Sequence, residues 1–130
     1  MICIDSDCII DFLNGDEGAK LIISNYLGEL ITTEVNVFEI FLGIYGQKNV
    51  NKQEEESAKI FFNDVWVLSY GEGCGEYSAN LLANLRKNGG IIEQSDCFIA
   101  SVMLVNGCNK IITKNKKHFS RIKGIEIIDY

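Results

Sequence analysis

Short apolar runs alternate with longer amphipathic segments along this 130-residue chain, and this alternation constrains the fold most strongly. Helical periodicity fills the intervals between the apolar runs, and no proline or linker interrupts the pattern. The predicted strands lie at 2–4, at the end of 28–33, and at 65–70, 110–113 and 125–129. The predicted helices run from 6 to an Asn-Gly stop at 14–15, and over 19–27, 35–46, 51–65, 76–90 and 95–107. Such alternation is typical of one α/β domain, here residues 1–130, with a mostly parallel sheet.

The composition is that of a globular protein, with 47% hydrophobic and 23% charged residues. No run reaches the roughly 18 apolar residues that a membrane helix needs. The first ten residues, MICIDSDCII, reach an acid at Asp5 without a basic segment, so no secretory signal is predicted. We therefore expect a cytoplasmic protein.

The five cysteines form no CxxC pair, and His118 is the one histidine that could join them in a zinc site. Structural zinc sites take cysteine and histidine ligands in closely spaced pairs, so the sequence does not predict one. Most of the thiols lie in apolar stretches, which predicts small buried side chains in a reducing compartment.

The net charge of -6 argues at first against a nucleic-acid partner, because phosphate binding needs local positive charge. The charge is unevenly distributed, however: residues 110–130 hold six bases and two acids. Four of these bases are predicted to contact RNA phosphates, namely Lys114, Lys116, Lys117 and Arg121. The alternative is a basic face that is merely solvated.

Asp5 and Asp96 stand out because each adjoins a strongly apolar element. Asp5 ends the first strand, and Asp96 lies at the start of a helix whose following strand is predicted to be parallel. Polar residues at the carboxyl ends of parallel strands meet at one edge of the sheet, so we expect these two acids to lie close together. The alternative is that Asp5 and the pair Ser95-Asp96 cap their helices.

Glu39 is the acid that is hardest to explain as part of the scaffold. It lies inside the apolar segment VNVFEIFLG, where an isolated buried carboxylate costs several kcal/mol unless it is paired or bound to a metal. The alternative places Glu39 on the outward face of its helix with Asn36 and Gly43.

Four further residues are expected near the same edge, as supporting groups or substrate contacts: Asp7, Glu93, Thr113 and Asn115. The alternatives are helix capping for Asp7, turn formation for Thr113 and Asn115, and simple exposure for Glu93. Carboxylates that converge at one edge repel one another unless cations neutralise them. Oxygen ligands of this kind suit Mg²⁺ or Mn²⁺, and such ions can activate water and stabilise charge on a phosphoryl group.

Four segments in this order resemble the PIN domain family, and most closely the VapC-type ribonucleases of toxin–antitoxin pairs. They are ICIDSDCIIDFLNG, TTEVNVFEIFLG, SDCFIASVMLVNG and IITKNKKHFSRIKGIEII, which together extend over almost the whole chain. The resemblance implies a three-layer α/β/α domain and an endoribonuclease that needs Mg²⁺ or Mn²⁺. It also implies a homodimer and a small antitoxin protein that covers the acidic groove.

Carried over by position, the resemblance makes Asp5, Glu39 and Asp96 the catalytic acids, with Asp5 and Asp96 as the metal ligands. The fourth acid of the family falls at Asn115, an amide that many toxin-type members share. This substitution leaves a fully occupied second metal site in doubt.

Three other hypotheses remain open at this point. Asp5-Ser6-Asp7 forms a DxD motif, as in haloacid-dehalogenase-type phosphatases, although that chemistry does not explain Glu39. A catalytically silent PIN-like domain that binds RNA or protein is favoured by Asn115 alone. A housekeeping nuclease of RNA processing would carry the same acids as a toxin.

Overall fold

Five parallel strands and seven helices make up the computed structural model, which describes residues 1–130. The strands are β1 (Ile2–Ile4), β2 (Leu30–Thr33), β3 (Trp66–Leu68), β4 (Lys110–Ile112) and β5 (Glu126–Ile128). The helices are α1 (Ser6–Leu13), α2 (Glu17–Asn25), α3 (Glu34–Tyr45), α4 (Lys52–Asp64), α5 (Cys74–Lys87), α6 (Gln94–Val105) and α7 (Lys116–Phe119). The sheet order is β3-β2-β1-β4-β5, so β1 lies at the centre between β2 and β4.

The sheet separates two apolar cores, as the pleat of its strands requires. Ile2 and Ile4 face one core, where they pack with buried residues of α1, α2, α3 and α4. Cys3, between them, faces the other core, which contains residues of α5, α6 and α7. The three inner strands β1, β2 and β4 are largely buried on both faces, which explains their continuous apolar sequences. The predicted three-layer α/β/α architecture is confirmed.

Parallel pairing brings the carboxyl ends of β1, β2 and β4 to one edge of the sheet. Ile4 pairs with Ile112 in β4, and Cys3 pairs with Ile31 in β2. The residues that follow these strands therefore begin their loops and helices side by side. Asp5 and Thr113 lie at this edge, as the sequence predicted.

Several predicted boundaries are wrong by a few residues. Helix α2 begins at Glu17, two residues before the predicted start, because the side chain of Asp16 accepts a hydrogen bond from the amide of Ala19. Strand β3 is limited to Trp66–Leu68. The predicted Ser95-Asp96 cap is also wrong: the N-cap of α6 is Glu93, and Asp96 lies within the first turn.

The thiols of all five cysteines are free and buried, as their apolar contexts predicted. Of the seven helices, none combines the length and the apolar character needed to cross a membrane.

We predict that Phe119→Ala lowers the free energy of unfolding by about 3–5 kcal/mol, as is typical for truncation of a buried aromatic side chain. Phe119 is fully buried and ties the short helix α7 to the core beneath the sheet. Urea denaturation followed by circular dichroism measures the change. Leu21→Ala, at an exposed position of α2, serves as the control and should change stability by less than about 0.5 kcal/mol. Equal losses in the two variants would contradict this account of the core.

Candidate functional site

Asp5 is the centre of the polar cluster at the carboxyl edge of the sheet. Its Oδ1 accepts a hydrogen bond from the amide of Ser6 at 2.9 Å, so Asp5 does cap helix α1. The same oxygen accepts from Nδ2 of Asn36 at 3.1 Å, and Oδ2 accepts from the hydroxyl of Thr113 at 2.7 Å. Asp5 thus joins β1, α3 and the end of β4, which a helix cap alone would not require.

Glu39 reaches this cluster from α3 through Ser6. The hydroxyl of Ser6 donates to Oε1 of Glu39 at 2.8 Å and accepts from Nδ2 of Asn36 at 3.0 Å. Asn36 is fully buried and Glu39 is half-buried. The alternative in which these two residues lie on the outward face of the helix is therefore wrong, although Gly43, one turn further on, is exposed.

Asp96 is joined to the segment that follows β4. Its Oδ2 accepts a hydrogen bond from Nδ2 of Asn115 at 3.0 Å and lies 2.6 Å from Nδ1 of His118. Nδ2 of Asn115 also lies 3.1 Å from the same ring nitrogen. The family's fourth acidic position is therefore occupied by a neutral group that donates to Asp96.

Asp7 holds the loop after β4 against α1. Its Oδ2 accepts from the amide of Lys114 at 2.8 Å and lies 3.2 Å from the hydroxyl of Thr113. That hydroxyl accepts in turn from the amide of Asn115 at 2.9 Å. The structure thus brings Asp7, Thr113 and Asn115 into contact with one another or with Asp5 and Asp96, whereas Glu93 is exposed and makes no side-chain capping bond.

Burial of the carboxylates governs the electrostatics of the site. It raises the pKa of Asp5 to about 7; the hydrogen bond from Thr113 opposes the shift, and the charges of Asp7 and Asp96 add to it. Burial likewise raises the pKa of Glu39, and the nearby charge of Asp96 raises it further. The pKa of Asp96 is raised by burial and lowered in part by His118. Burial and mutual repulsion therefore disfavour the ionised forms of these three acids.

The predicted phosphate contacts are mostly engaged with groups of the chain itself. Lys114 forms an ion pair with Asp11 at 2.6 Å, and Lys116 forms one with Asp129. Arg121 donates to the backbone carbonyl of Ile91. Lys117 is exposed and forms no ion pair, so its ammonium group is available to a phosphate. Their contact with RNA stays a prediction.

No three Asp, Glu, His or Cys side chains converge closely enough to form a complete metal cage by themselves. Mg²⁺ seldom uses such a cage, since it binds one or two carboxylates and keeps several waters. Asp5 and Asp96 fit this requirement. Within the chain, Oδ2 of Asp5 accepts one hydrogen bond and Oδ1 of Asp96 accepts none.

Three polar residues of the site were missed by the sequence reasoning: Ser6, Asn36 and His118. His118 was considered only as a possible zinc ligand, and its position four residues after Lys114 gives no sign that it contacts Asp96. Asn36 could have been found from its spacing, because it lies three residues before Glu39 and three after the capping residue Thr33.

The family model of the PIN domain matches residues 2–125. The chain therefore belongs to the PIN domain family, which removes the phosphatase hypothesis. No curated protein sequence matches the chain.

Solved structures of toxin–antitoxin proteins are similar to the chain along its whole length. VapBC2 from Rickettsia felis, bound to a DNA fragment from its promoter, has a TM-score of 0.89 at 19% identity, covering 100% of this chain and 99% of that chain. DNA-bound VapBC from Salmonella typhimurium has a TM-score of 0.87 at 21% identity, covering 98% and 96%. VapC20 from Mycobacterium tuberculosis, a toxin that cleaves the Sarcin-Ricin loop, has a TM-score of 0.73 at 14% identity, covering 97% and 99%. At these identities the similarity concerns the fold.

We predict that, in EDTA, the chain loses stability as the pH rises between the unfolded pKa of Asp5, near 3.8, and its folded pKa of about 7. Over this range the native state binds more protons than the unfolded state, so the free energy of unfolding falls with pH. A shift of this size corresponds to about 4 kcal/mol for Asp5 alone. Asp5→Asn, which preserves the helix cap, should therefore stabilise the protein at pH 8 and flatten the profile.

Urea denaturation at pH 5 and at pH 8 measures this effect. Asp64→Asn, at the exposed end of α4, is the matched control and should retain the wild-type profile. If Asp5→Asn shows the same loss of stability between the two pH values as the wild type, the buried charge of Asp5 is not its source.

Proposed function

We propose that this PIN domain is an Mg²⁺- or Mn²⁺-dependent endoribonuclease and the toxin of a toxin–antitoxin pair. The observation that carries the proposal is the buried carboxylate of Asp5, whose pKa is raised to about 7 beside Asp7 and Asp96. An arrangement that is so unfavourable in the empty state is typical of functional sites. Structural similarity to VapC20, which cleaves RNA of the Sarcin-Ricin loop, adds support for RNA as the substrate class.

Asp5 and Asp96 would hold the metal ion through oxygens that retain free lone pairs. Bound there, the ion would supply an activated water and would stabilise charge on the phosphodiester. Glu39 reaches the same edge, and burial raises its pKa, which makes this carboxylate a stronger proton acceptor. Thr113 and Asn36 keep Asp5 oriented, and Asn115 and His118 do the same for Asp96.

Asn115 supports a single well-formed metal site. Its side chain is neutral and so adds no anionic ligand, and its Nδ2 donates to Asp96. A second ion would have to take oxygens from the RNA itself. A catalytically silent domain is the second candidate that this amide favours, and the cleavage assay below separates the two.

An antitoxin partner is proposed from the structural neighbours, several of which were solved as VapBC or FitAB complexes. A groove of about 430 Å³ extends from Glu39 between α1, α3 and the start of α4. It is lined by isoleucines and by amide side chains and contains no basic residue. This lining suits a protein segment better than it suits a phosphate backbone.

A homodimer is proposed from an apolar stripe on α3. Phe38, Leu42 and Tyr45 are 60%, 59% and 52% exposed, and their spacing places them on one face of the helix. The apolar residues of α3 that are buried are Ile40 and Ile44. Exposed apolar groups that adjoin in this way mark interaction surfaces, and a second copy would bury the stripe against itself.

RNA cleavage with purified protein tests the proposed activity. We expect the wild type to cut mixed RNAs in Mg²⁺ or Mn²⁺ and to stop in EDTA, and Asp5→Asn or Asp96→Asn to lower the rate by about 100-fold or more, because each removes a ligand charge. Asp64→Asn is the matched control and should cut like the wild type. Cleavage that persists in EDTA and in both site variants would refute the proposal, and an inactive wild type would favour the silent domain.

Light scattering after size-exclusion chromatography tests the homodimer. We expect the mass of a dimer for the wild type and of a monomer for Leu42→Glu, since a charge in the centre of an apolar interface opposes association. Leu21→Glu introduces the same charge at another exposed leucine and should remain dimeric. A wild type that elutes as a monomer, or a Leu42→Glu variant that elutes as a dimer, would exclude this stripe as the interface.

A further inference from the structure

Asn36 is the most completely engaged side chain near the site. Its amide is fully buried in the first turn of α3 and makes four hydrogen bonds. An asparagine amide offers two donors and one carbonyl oxygen with two lone pairs, so its capacity is used in full.

The two ends of this amide serve different partners. Oδ1 accepts from the backbone amide of Thr33 at 3.2 Å and from its hydroxyl at 2.7 Å, which forms the capping box of α3. Nδ2 donates to Oδ1 of Asp5 at 3.1 Å and to the hydroxyl of Ser6 at 3.0 Å. One end thus holds the helix and the other end holds the site.

The direction of the donors fixes the hydrogen-bond chain that continues to Glu39. Because Asn36 donates to the oxygen of Ser6, the hydroxyl hydrogen of Ser6 remains available for Oε1 of Glu39, at 2.8 Å. A residue with only acceptor atoms could complete the capping box, but it could not donate to either Asp5 or Ser6. The capping role therefore does not explain why an amide is present.

We propose that Asn36 is a positioning residue that orients Asp5 directly and Glu39 through Ser6. The inference rests on the proposed function and deepens it, because the orientation of Asp5 and Glu39 matters for metal binding and for cleavage. Partners of metal ligands that lie outside the coordination sphere typically contribute 10–100-fold to affinity or activity. One N–H of Asn36 donates to Asp5 and the other donates to Ser6, which in turn donates to Glu39. Asn36 can therefore orient two catalytic acids at once.

Two variants separate the direct contact with Asp5 from the path through Ser6 to Glu39. Asn36→Ala removes the donor to Asp5, and we expect it to weaken Mn²⁺ binding and cleavage, each by about 10–100-fold. Ser6→Ala interrupts the path to Glu39 alone, so we expect Mn²⁺ affinity to stay at the wild-type level while kcat falls at saturating Mn²⁺. Combining the two should lower kcat no further than Asn36→Ala does, because both changes break one chain.

Thr33→Val is the matched control for the capping role. It disrupts the same capping box and leaves Nδ2 of Asn36 free to donate to Asp5 and Ser6. We expect it to lower the thermal midpoint of unfolding while it retains the Mn²⁺ affinity and kcat of the wild type. Electron paramagnetic resonance of free Mn²⁺ gives the affinity without reference to activity, and Ser6→Ala serves as the test if Asn36→Ala does not fold.

The outcomes distinguish the positioning role from the proposed function. If the wild type cleaves RNA and Asn36→Ala matches Thr33→Val in Mn²⁺ affinity and kcat, the positioning role is refuted and the nuclease stands. The same holds if Ser6→Ala leaves kcat unchanged. If the wild type binds Mn²⁺ but cuts no RNA, the nuclease proposal fails, and weaker Mn²⁺ binding by Asn36→Ala still supports the link from Asn36 to Asp5.

Discussion

The burial of the Asp5 carboxylate at the central strand of the sheet is the constraint on which the rest of the site depends. Asp5 is 5% exposed and lies near the charges of Asp7 and Asp96, so its ionised form is strongly disfavoured in the isolated chain. Each neighbouring element contributes a group that limits this cost. Helix α1 provides a backbone amide, α3 provides Asn36, and the end of β4 provides Thr113. Three segments of the chain thus donate hydrogen bonds to this one carboxylate.

The groups that surround these acids are chiefly neutral donors. Asn36 and Thr113 hold Asp5, and Asn115 joins His118 at Asp96, while the nearby lysines are paired with acids at the periphery. Neutral donors orient a carboxylate without cancelling its charge. A lysine in their place would form a buried ion pair, which would stabilise the empty site and compete with a metal ion. No lysine or arginine therefore offsets the cost of ionising Asp5, and a bound cation would favour its ionised form. This is the physical basis of the proposed metal dependence.

The sequence predicted the architecture because burial on both faces gives parallel strands an unmistakable pattern. It also placed Asp5 and Thr113 at one edge, since the ends of parallel strands must meet there. What it could not give is the direction of side chains on helices. Glu39 and Asn36 were assigned to one face correctly, but only the crossing of α3 over α1 decides that this face is inward. The exposure of Phe38, Leu42 and Tyr45 could not be predicted for the same reason, because a helix with apolar residues on two sides does not reveal which side the sheet covers.

Asn115 shows how a single neutral residue can limit the charge of such a site. An acid at this position would add a negative charge against Asp96, whose pKa is already raised by burial. The amide instead donates to Asp96 and shares a contact with His118, so it lowers the number of cations that the cluster needs for neutrality. In a site made only of acids, a second ion would be needed to offset the repulsion between the carboxylates. Here the amide of Asn115 and the neighbouring imidazole of His118 reduce that repulsion instead. An amide in place of a fourth acid therefore suits the proposed single metal ion, whose remaining ligands would be water and oxygens of the proposed RNA substrate.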